Sequence, residues 1–159
     1  MASRLGIYND ALGMIGEREL ANLTENREPR RKLDSVWNRG FVDFVLSRGY
    51  WNFATRTLKL DFSTSITPAF GYLRAFDHPT DYIRLVSISE DEYFNDVLNR
   101  YVDEGAYWYA DGDILYIRYV SNDASFGGDL SKWPEQFAEY AASHMAVKAL
   151  PRLTGPRPT

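Results

Sequence analysis

The chain has 159 residues, of which 45% are hydrophobic and 25% are charged, and this balance is typical of one globular domain with an ordinary core. Its formal net charge of −4, without a strongly basic block, argues against a protein whose affinity comes from neutralising many phosphates. The absence of cysteine excludes disulfide scaffolds, thiolate zinc sites and cysteine nucleophiles.

The first part of the chain has the periodicity of a helix. Ser3 is placed to cap a first helix and Gly16 to end it. The apolar residues that recur at helical spacing inside it are Leu5, Tyr8, Leu12 and Ile15. Pro29, a favoured first-turn residue, begins the longest helical pattern of the chain, and Gly49 is expected to end that helix.

After the second helix the pattern changes to that of strands. An alternating run at 58–62 predicts a half-buried strand, and 70–76 and 82–88 predict two more. An Asp-Gly turn after residue 110 predicts a hairpin between 107–110 and 114–120.

Two shorter signals complete the pattern. Ser89 with Glu92 resembles a capping box and predicts one short helix in the region that follows. Pro134 begins a C-terminal helix, which Pro151 is expected to end, and 152–159 is expected to be a flexible tail.

Because the strands are grouped between helices, the sequence predicts an α+β fold. We expect a helical bundle of two N-terminal helices and the C-terminal helix, with an inserted antiparallel β region of about four to five strands. The expected organisation is a single domain over 1–159, with helical parts at 3–49 and 132–150 and a β-rich insertion at 55–120.

Residues with catalytic or metal-binding chemistry are few. His78 and His144 are far apart in the chain, and neither has a second ligand at metal-binding spacing. Asp111 and Asp113 flank a glycine, but the other ligands of a calcium loop are missing. The adjacent carboxylates at 90–92 do not face each other across a cleft, as glycoside cleavage requires. We therefore expect no catalytic residue, no metal, no cofactor and no enzymatic activity.

Targeting signals are also missing from the pattern. No stretch in the first thirty residues resembles a signal peptide, and no apolar run reaches the roughly 18 residues of a membrane span. We expect a chain that is neither exported by a signal peptide nor membrane-spanning.

One basic cluster lies at a helix N-terminus, where the helix dipole disfavours positive charge. It comprises Arg27, Arg30, Arg31 and Lys32. Carboxylates of a neighbouring subunit or the DNA backbone would compensate this charge, and so would the acidic residues in the same stretch of the chain. Arg30 and Arg31 are candidate residues of a protein-protein interface.

Aromatic residues make up 15% of the chain, which favours contact surfaces as well as a filled core. We expect Trp37 and Trp51 to be structural packing anchors. Tyr107, Trp108 and Tyr109 permit a carbohydrate-stacking platform, but strand alternation favours a division between core and interface. All three are candidate interface residues.

Three short motifs resemble those of one protein family, and they occur in the same order along the chain. They are Leu-Gly-Met-Ile-Gly-Glu at 12–17, Arg-Gly-Tyr-Trp-Asn-Phe at 48–53 and Pro-Thr-Asp-Tyr-Ile-Arg at 79–84. In these motifs the chain looks like the tail tubular protein A group of phage head-to-tail connectors, and the resemblance covers nearly the whole chain.

This resemblance implies a structural virion protein of a bacteriophage, located in the tail or neck and assembled in the host cytoplasm. It implies an adaptor ring, typically of twelve copies, that binds the portal protein on one side and the tail nozzle or next connector on the other. DNA would pass through the lumen without sequence-specific binding during genome ejection, and no membrane partner is implied.

Two other classes of function remain open. A carbohydrate-binding or receptor-binding tail module would need residues 107–109 to be exposed. A tail-associated hydrolase would need facing carboxylates or a metal cluster, and the sequence supplies neither.

Overall fold

The computed structural model describes residues 1–153 and confirms the α+β class. The helices are α1 (Arg4–Met14), α2 (Glu28–Asn38), α3 (Phe41–Leu46) and α4 (Glu135–Leu153). The strands are β1 (Thr55–Asp61), β2 (Arg74–Asp77), β3 (Tyr82–Ser89), β4 (Val102–Glu104), β5 (Tyr107–Ala110) and β6 (Ile114–Ser121). The described chain thus has six strands where four to five were expected.

The first helix has the bounds that the sequence predicts. The Ser3 hydroxyl accepts a hydrogen bond from the Gly6 amide at 3.0 Å. After the helix, Gly16 adopts a left-handed conformation with φ of 78°, and the Glu17 amide donates to the Leu12 carbonyl. Because the cap and the stop are made by nearby residues, the ends of α1 are locally encoded.

The expected long helix between Pro29 and Gly49 is wrong, because the chain forms two helices there. Gly40 has a φ of 87° and separates α2 from α3. Glycine adopts this left-handed conformation at little cost because it lacks a Cβ atom. The second helix of the pair ends at Leu46, before Gly49.

The six strands form two antiparallel sheets. The first sheet has the order β1-β6-β3 and the second has the order β2-β5-β4. The predicted hairpin between β5 and β6 is wrong, since each of these strands is the centre of a different sheet and is paired on both edges. The chain bends at the Asp-Gly pair, and this bend leads from one sheet to the other.

The short helix predicted after Ser89 is also wrong. Ser89 is the last residue of β3, and its hydroxyl donates to the Asp96 carbonyl and accepts from the Asp91 amide, both at 2.9 Å. The Asp91 carboxylate in turn accepts from the Tyr93 amide. These local bonds compete with a helical ladder, and Phe94 adopts a left-handed φ of 53°.

The last helix extends further than expected. It runs through Leu153, so Pro151 lies inside its final turn and does not end it. Proline has a φ compatible with a helix but lacks an N–H, so it removes one hydrogen bond of that turn. Of the expected flexible tail at 152–159, the first two residues belong to this helix, and 154–159 lie outside the described residues.

Two hydrophobic cores hold the elements together. The helical core contains residues of all four helices, and the sheet core lies between the two sheets. Strand β6 contributes to both, since Val120 belongs to the helical core while Leu115 and Ile117 belong to the sheet core. Helix α4 packs against both α1 and α2.

Candidate functional site

The two candidate arginines of the basic cluster have different surroundings. The half-buried Arg30 donates to the Asp34 carboxylate at 2.8 Å and to the Glu25 carbonyl at 2.7 Å. Arg31 is exposed, and its guanidinium lies 3.4 Å from the Glu28 carboxylate. Residues of the same stretch therefore compensate much of the charge, and Arg31 is the more accessible of the two for a partner.

Asp34 joins α1 to α2. Its carboxylate accepts from the Tyr8 hydroxyl at 2.7 Å and from Arg4 at 3.0 Å, in addition to Arg30. Burial tends to raise the pKa of Asp34, but the hydrogen bonds from Tyr8 and Arg30 outweigh it and keep that pKa below its ordinary value. The same burial and the bond to Asp34 raise the pKa of Tyr8. This network explains the position of Arg30 without a partner protein.

The two tryptophans that were expected as packing anchors both pack against the helical core. The Trp37 ring lies 5.3 Å from the Phe41 ring. The Trp51 ring lies 4.7 Å from Phe137, and its indole N–H donates to the carbonyls of the last turn of α3. Trp51 thus gives the Leu46 carbonyl a partner at a helix end and shares the Val45 carbonyl with the Arg48 amide.

Residues 107–109 divide between core and surface. Trp108 is fully buried in the sheet core and its ring lies 4.1 Å from that of His78, so it is not available to a partner. Tyr107 and Tyr109 are half-buried on the opposite face of β5, with nearly parallel rings 6.5 Å apart. Strand alternation, as expected, separates the tryptophan from the two tyrosines.

Two carboxylates flank Tyr107 on this outer face. In the register of the second sheet, Asp77 of β2 and Glu104 of β4 both lie directly opposite Tyr107. Directly opposed residues of antiparallel strands point to the same face. Asp77 and Glu104 are exposed, and neither has an ion-pair partner among the side chains of residues 1–151. We call Asp77, Tyr107 and Glu104 the acidic tyrosine face.

A pocket of about 230 Å³ lies at the break between α2 and α3. Its lining residues are Val36, Arg39, Gly40, Phe41, Phe44, His144 and Lys148, and we call it the basic pocket. The Phe44 side chain is 42% exposed and is stacked on His144 at 4.6 Å. Burial and the nearby charges of Lys148 and Arg48 lower the pKa of His144 below its ordinary value.

Large apolar side chains are exposed at the end of the β region. Phe70 and Leu73, in the connection from β1 to β2, are 89% and 69% exposed, and Tyr93, in the connection from β3 to β4, is 74% exposed. Arg100 joins these connections by donating to the Gly71 carbonyl at 2.8 Å. We call Phe70, Leu73 and Tyr93 the exposed loop residues.

The second and third family-like motifs meet in space. Arg84, at the end of the third motif, donates to the hydroxyl of Tyr50 in the second at 3.1 Å, and its guanidinium lies 4.1 Å from the same ring. Asp81, also in the third motif, accepts from Arg56 and Tyr119 at 2.8 and 2.9 Å. Arg84 therefore joins the segment after α3 to the first sheet, and Asp81 joins β1 to β6 within that sheet.

The two histidines lie in different parts of the fold. His78 is packed beside Trp108, and its Nε2 is 2.8 Å from Asp103 Oδ1 but is not aligned for a hydrogen bond. His144 lies in the basic pocket. Within residues 1–153, no group of three or more His, Asp and Glu side chains is placed to hold a metal ion.

Comparison with known proteins does not assign the chain to a family. No family model matches the chain, and no curated protein matches it. The likeness to the tail tubular protein A group thus remains a resemblance that depends on the three motifs. None of the helices among the described residues has both the length and the apolarity of a membrane span.

Two features of the protein surface, the basic pocket and the acidic tyrosine face, were not predicted from the sequence. The basic pocket depends on the break at Gly40, and a glycine inside an otherwise helical run was the available signal. The acidic tyrosine face depends on the register of β2, β5 and β4, for which the sequence contains no local signal.

Proposed function

We propose that this protein is a structural virion protein: a head-to-tail adaptor that forms a ring between the portal and the tail and provides a channel for DNA. The proposal rests on the three motifs that resemble the tail tubular protein A group. It names the portal protein and the tail nozzle or next connector as partners.

The observation that carries the proposal is the set of exposed loop residues. Large apolar side chains that are 69% to 89% exposed gain free energy of burial when another surface covers them. An adaptor has such surfaces on two sides and between its copies. The exposed loops therefore support a protein that works within an assembly.

Within the ring, the helices would pack as a bundle around the channel, and the β region would contact neighbours or the tail. Twelve copies at a net charge of −4 each would carry about −48 formal charges. An acidic lumen would let DNA pass without adhering to the wall. A ring structure with a basic lumen would contradict this part of the proposal.

The first test is the mass of the purified protein in solution, alone and after mixing with its portal protein, by light scattering coupled to gel filtration. We expect the mass of a ring either for the protein alone or only after the portal protein is added, because the proposed contact surfaces need other copies or the portal to cover them. A protein that remains a monomer in both samples would refute the adaptor function.

A carbohydrate-binding module is the second candidate, favoured by the parallel rings of Tyr107 and Tyr109 beside two carboxylates. Trp108 lies on the other, buried face, so tryptophan quenching is a poor measurement of binding there. Calorimetric titration with oligosaccharides is the better one. Binding that Tyr107→Ala abolishes, in a protein that stays a monomer, would favour this candidate.

A further inference from the structure

Three cations surround the basic pocket, and none has an ion-pair partner among the described residues. Arg39 and Lys148 line the pocket, and the Arg48 guanidinium lies 5.5 Å from the centre of the Phe44 ring. By contrast, Arg4 and Arg30 on the neighbouring helices share the Asp34 carboxylate. The pocket thus combines an exposed aromatic ring with uncompensated positive charge, although the whole chain is acidic.

The acidic tyrosine face has the complementary composition. Its aromatic ring, Tyr107, lies between the carboxylates of Asp77 and Glu104 in the sheet register. An aromatic side chain flanked by carboxylates fits an aromatic pocket flanked by cations, because ring packing and opposite charges act together.

We propose that the basic pocket of one copy binds the acidic tyrosine face of the next copy. Tyr107 would pack beside Phe44, with Asp77 and Glu104 near Arg39, Arg48 and Lys148. This inference rests on the proposed ring and names the contact that closes it.

Another copy of this chain is the partner that the charges favour. Phe41 of the pocket belongs to the helical core and Trp108, behind the acidic tyrosine face, belongs to the sheet core, so the two surfaces are built on different parts of the fold. The two surfaces share no residue, so one copy is able to offer both. Two different surfaces in contact make a head-to-tail interface, which is the kind that generates rings.

The test uses two full-length charge-reversal variants. The pocket variant carries Arg39→Glu and Lys148→Glu, and the face variant carries Asp77→Lys and Glu104→Lys. Each is expected to lose assembly alone, because like charges then meet across the interface. An equimolar mixture is expected to regain the wild-type mass, since the reversed surfaces attract each other and so do the two unchanged ones.

The matched control reverses a neighbouring pair of exposed charges on β1, with Lys59→Glu and Asp61→Lys, and preserves the net charge. It is expected to assemble like wild type. Circular dichroism establishes that every variant is folded, and if a double variant is not, its single substitutions Arg39→Glu and Glu104→Lys replace it in the same mixture.

The outcomes separate this contact from the proposed function. If wild type forms a ring, alone or on the portal, and either reversed variant assembles equally well, the contact is wrong and the adaptor remains. If both variants fail and the mixture also fails, the two surfaces do not meet and the contact is likewise wrong. If wild type never assembles, both proposals fail. A change of the His144 NMR signals on adding inorganic phosphate, with assembly unaffected by the variants, would indicate a simple anion site instead.

Discussion

The carboxylate of Asp81 accepts hydrogen bonds from two strands at once, through Arg56 on β1 and through Tyr119 and Ser121 on β6. Burial tends to raise the pKa of Asp81, but the bonds from Ser121, Tyr119 and Arg56 outweigh it and hold that pKa below its ordinary value. The ionised form is therefore the one that stabilises the folded state.

Asp81→Asn is expected to lower the free energy of unfolding at pH 7 by about 1–3 kcal/mol, because the amide cannot accept the same charge-assisted bonds. A carboxyl with a lowered folded pKa stabilises the protein above its unfolded pKa, about 3.9, and that contribution disappears as the pH falls through the folded pKa. The variant should therefore show a smaller loss of stability below about pH 4. Urea unfolding across a pH series measures both effects.

The control for this substitution is Asp61→Asn, at an exposed carboxylate at the end of β1. It should leave the free energy of unfolding at pH 7 nearly unchanged. An Asp81→Asn protein as stable as wild type would show that the network is not holding the strands.

A second prediction at the scale of one residue concerns the pKa of His144. Its pKa is lowered first by burial and then by Lys148 and Arg48. Lys148→Ala should raise that pKa towards the ordinary value of about 6.5, because one repelling cation is removed. NMR titration is simple here, since the chain has only two histidines. Lys132→Ala, at a cation that is not one of the charges lowering the pKa of His144, should leave that pKa unchanged.

Residues whose partners are close in the chain were predictable, and residues with remote partners were not. Ser3 and Gly16 were identified correctly because a cap and a stop involve only neighbouring backbone. Asp81 was not identified, because Arg56 and Tyr119 lie far away along the chain and meet it only after the first sheet forms.

At the scale of elements, the connection from β6 to α4 is closely packed around Gly127. A Cβ atom at this position would lie 2.3 Å from the Ser121 carbonyl oxygen and 2.9 Å from Leu46 Cδ1. The Gly127 carbonyl also accepts from the Trp133 indole at 2.8 Å. The pair Gly127-Gly128 therefore permits the close approach of strand, loop and helix.

Gly127→Ala is expected to destabilise the protein by about 3 kcal/mol, because backbone atoms must move to admit the methyl group. Gly13→Ala is the matched control, since nothing lies within 4 Å of a Cβ atom there and the residue is inside α1. That change should stabilise by about 0.5–1 kcal/mol. Thermal unfolding of both variants provides the comparison, and equal effects would show that the packing at Gly127 can relax.

The predicted elements differ in how far they depend on local chemistry. The strand at 58–62 and the helix after Pro134 were predicted close to their observed positions, because their periodicity is strong. The chain does bend at the Asp-Gly pair. The prediction of a hairpin there was wrong, since pairing depends on which strands occupy the edges of β5 and β6. Periodicity also missed the break at Gly40, because the apolar residues on both sides keep helical spacing.

On the scale of the whole molecule, the two cores share β6, so we expect them to unfold together. Leu33→Ala in the helical core and Leu115→Ala in the sheet core should each cost about 2–5 kcal/mol and shift one common transition. Tryptophan fluorescence and far-ultraviolet circular dichroism should give the same midpoint. Two separated transitions would show that the chain is not the single domain that we expect.

The pairing of β1 with β6 also has a consequence for how the protein is made. Thr55 pairs with Val120, and α1 packs on α4. Strand β1 and helix α1 therefore cannot make these contacts until residues near the C-terminal end of the fold have been synthesised. Such contacts between distant parts of the chain slow folding. On the ribosome, the first two helices lack the α4 side of their core until α4 has emerged. Incomplete chains would therefore lack the contact surfaces that the proposed ring requires.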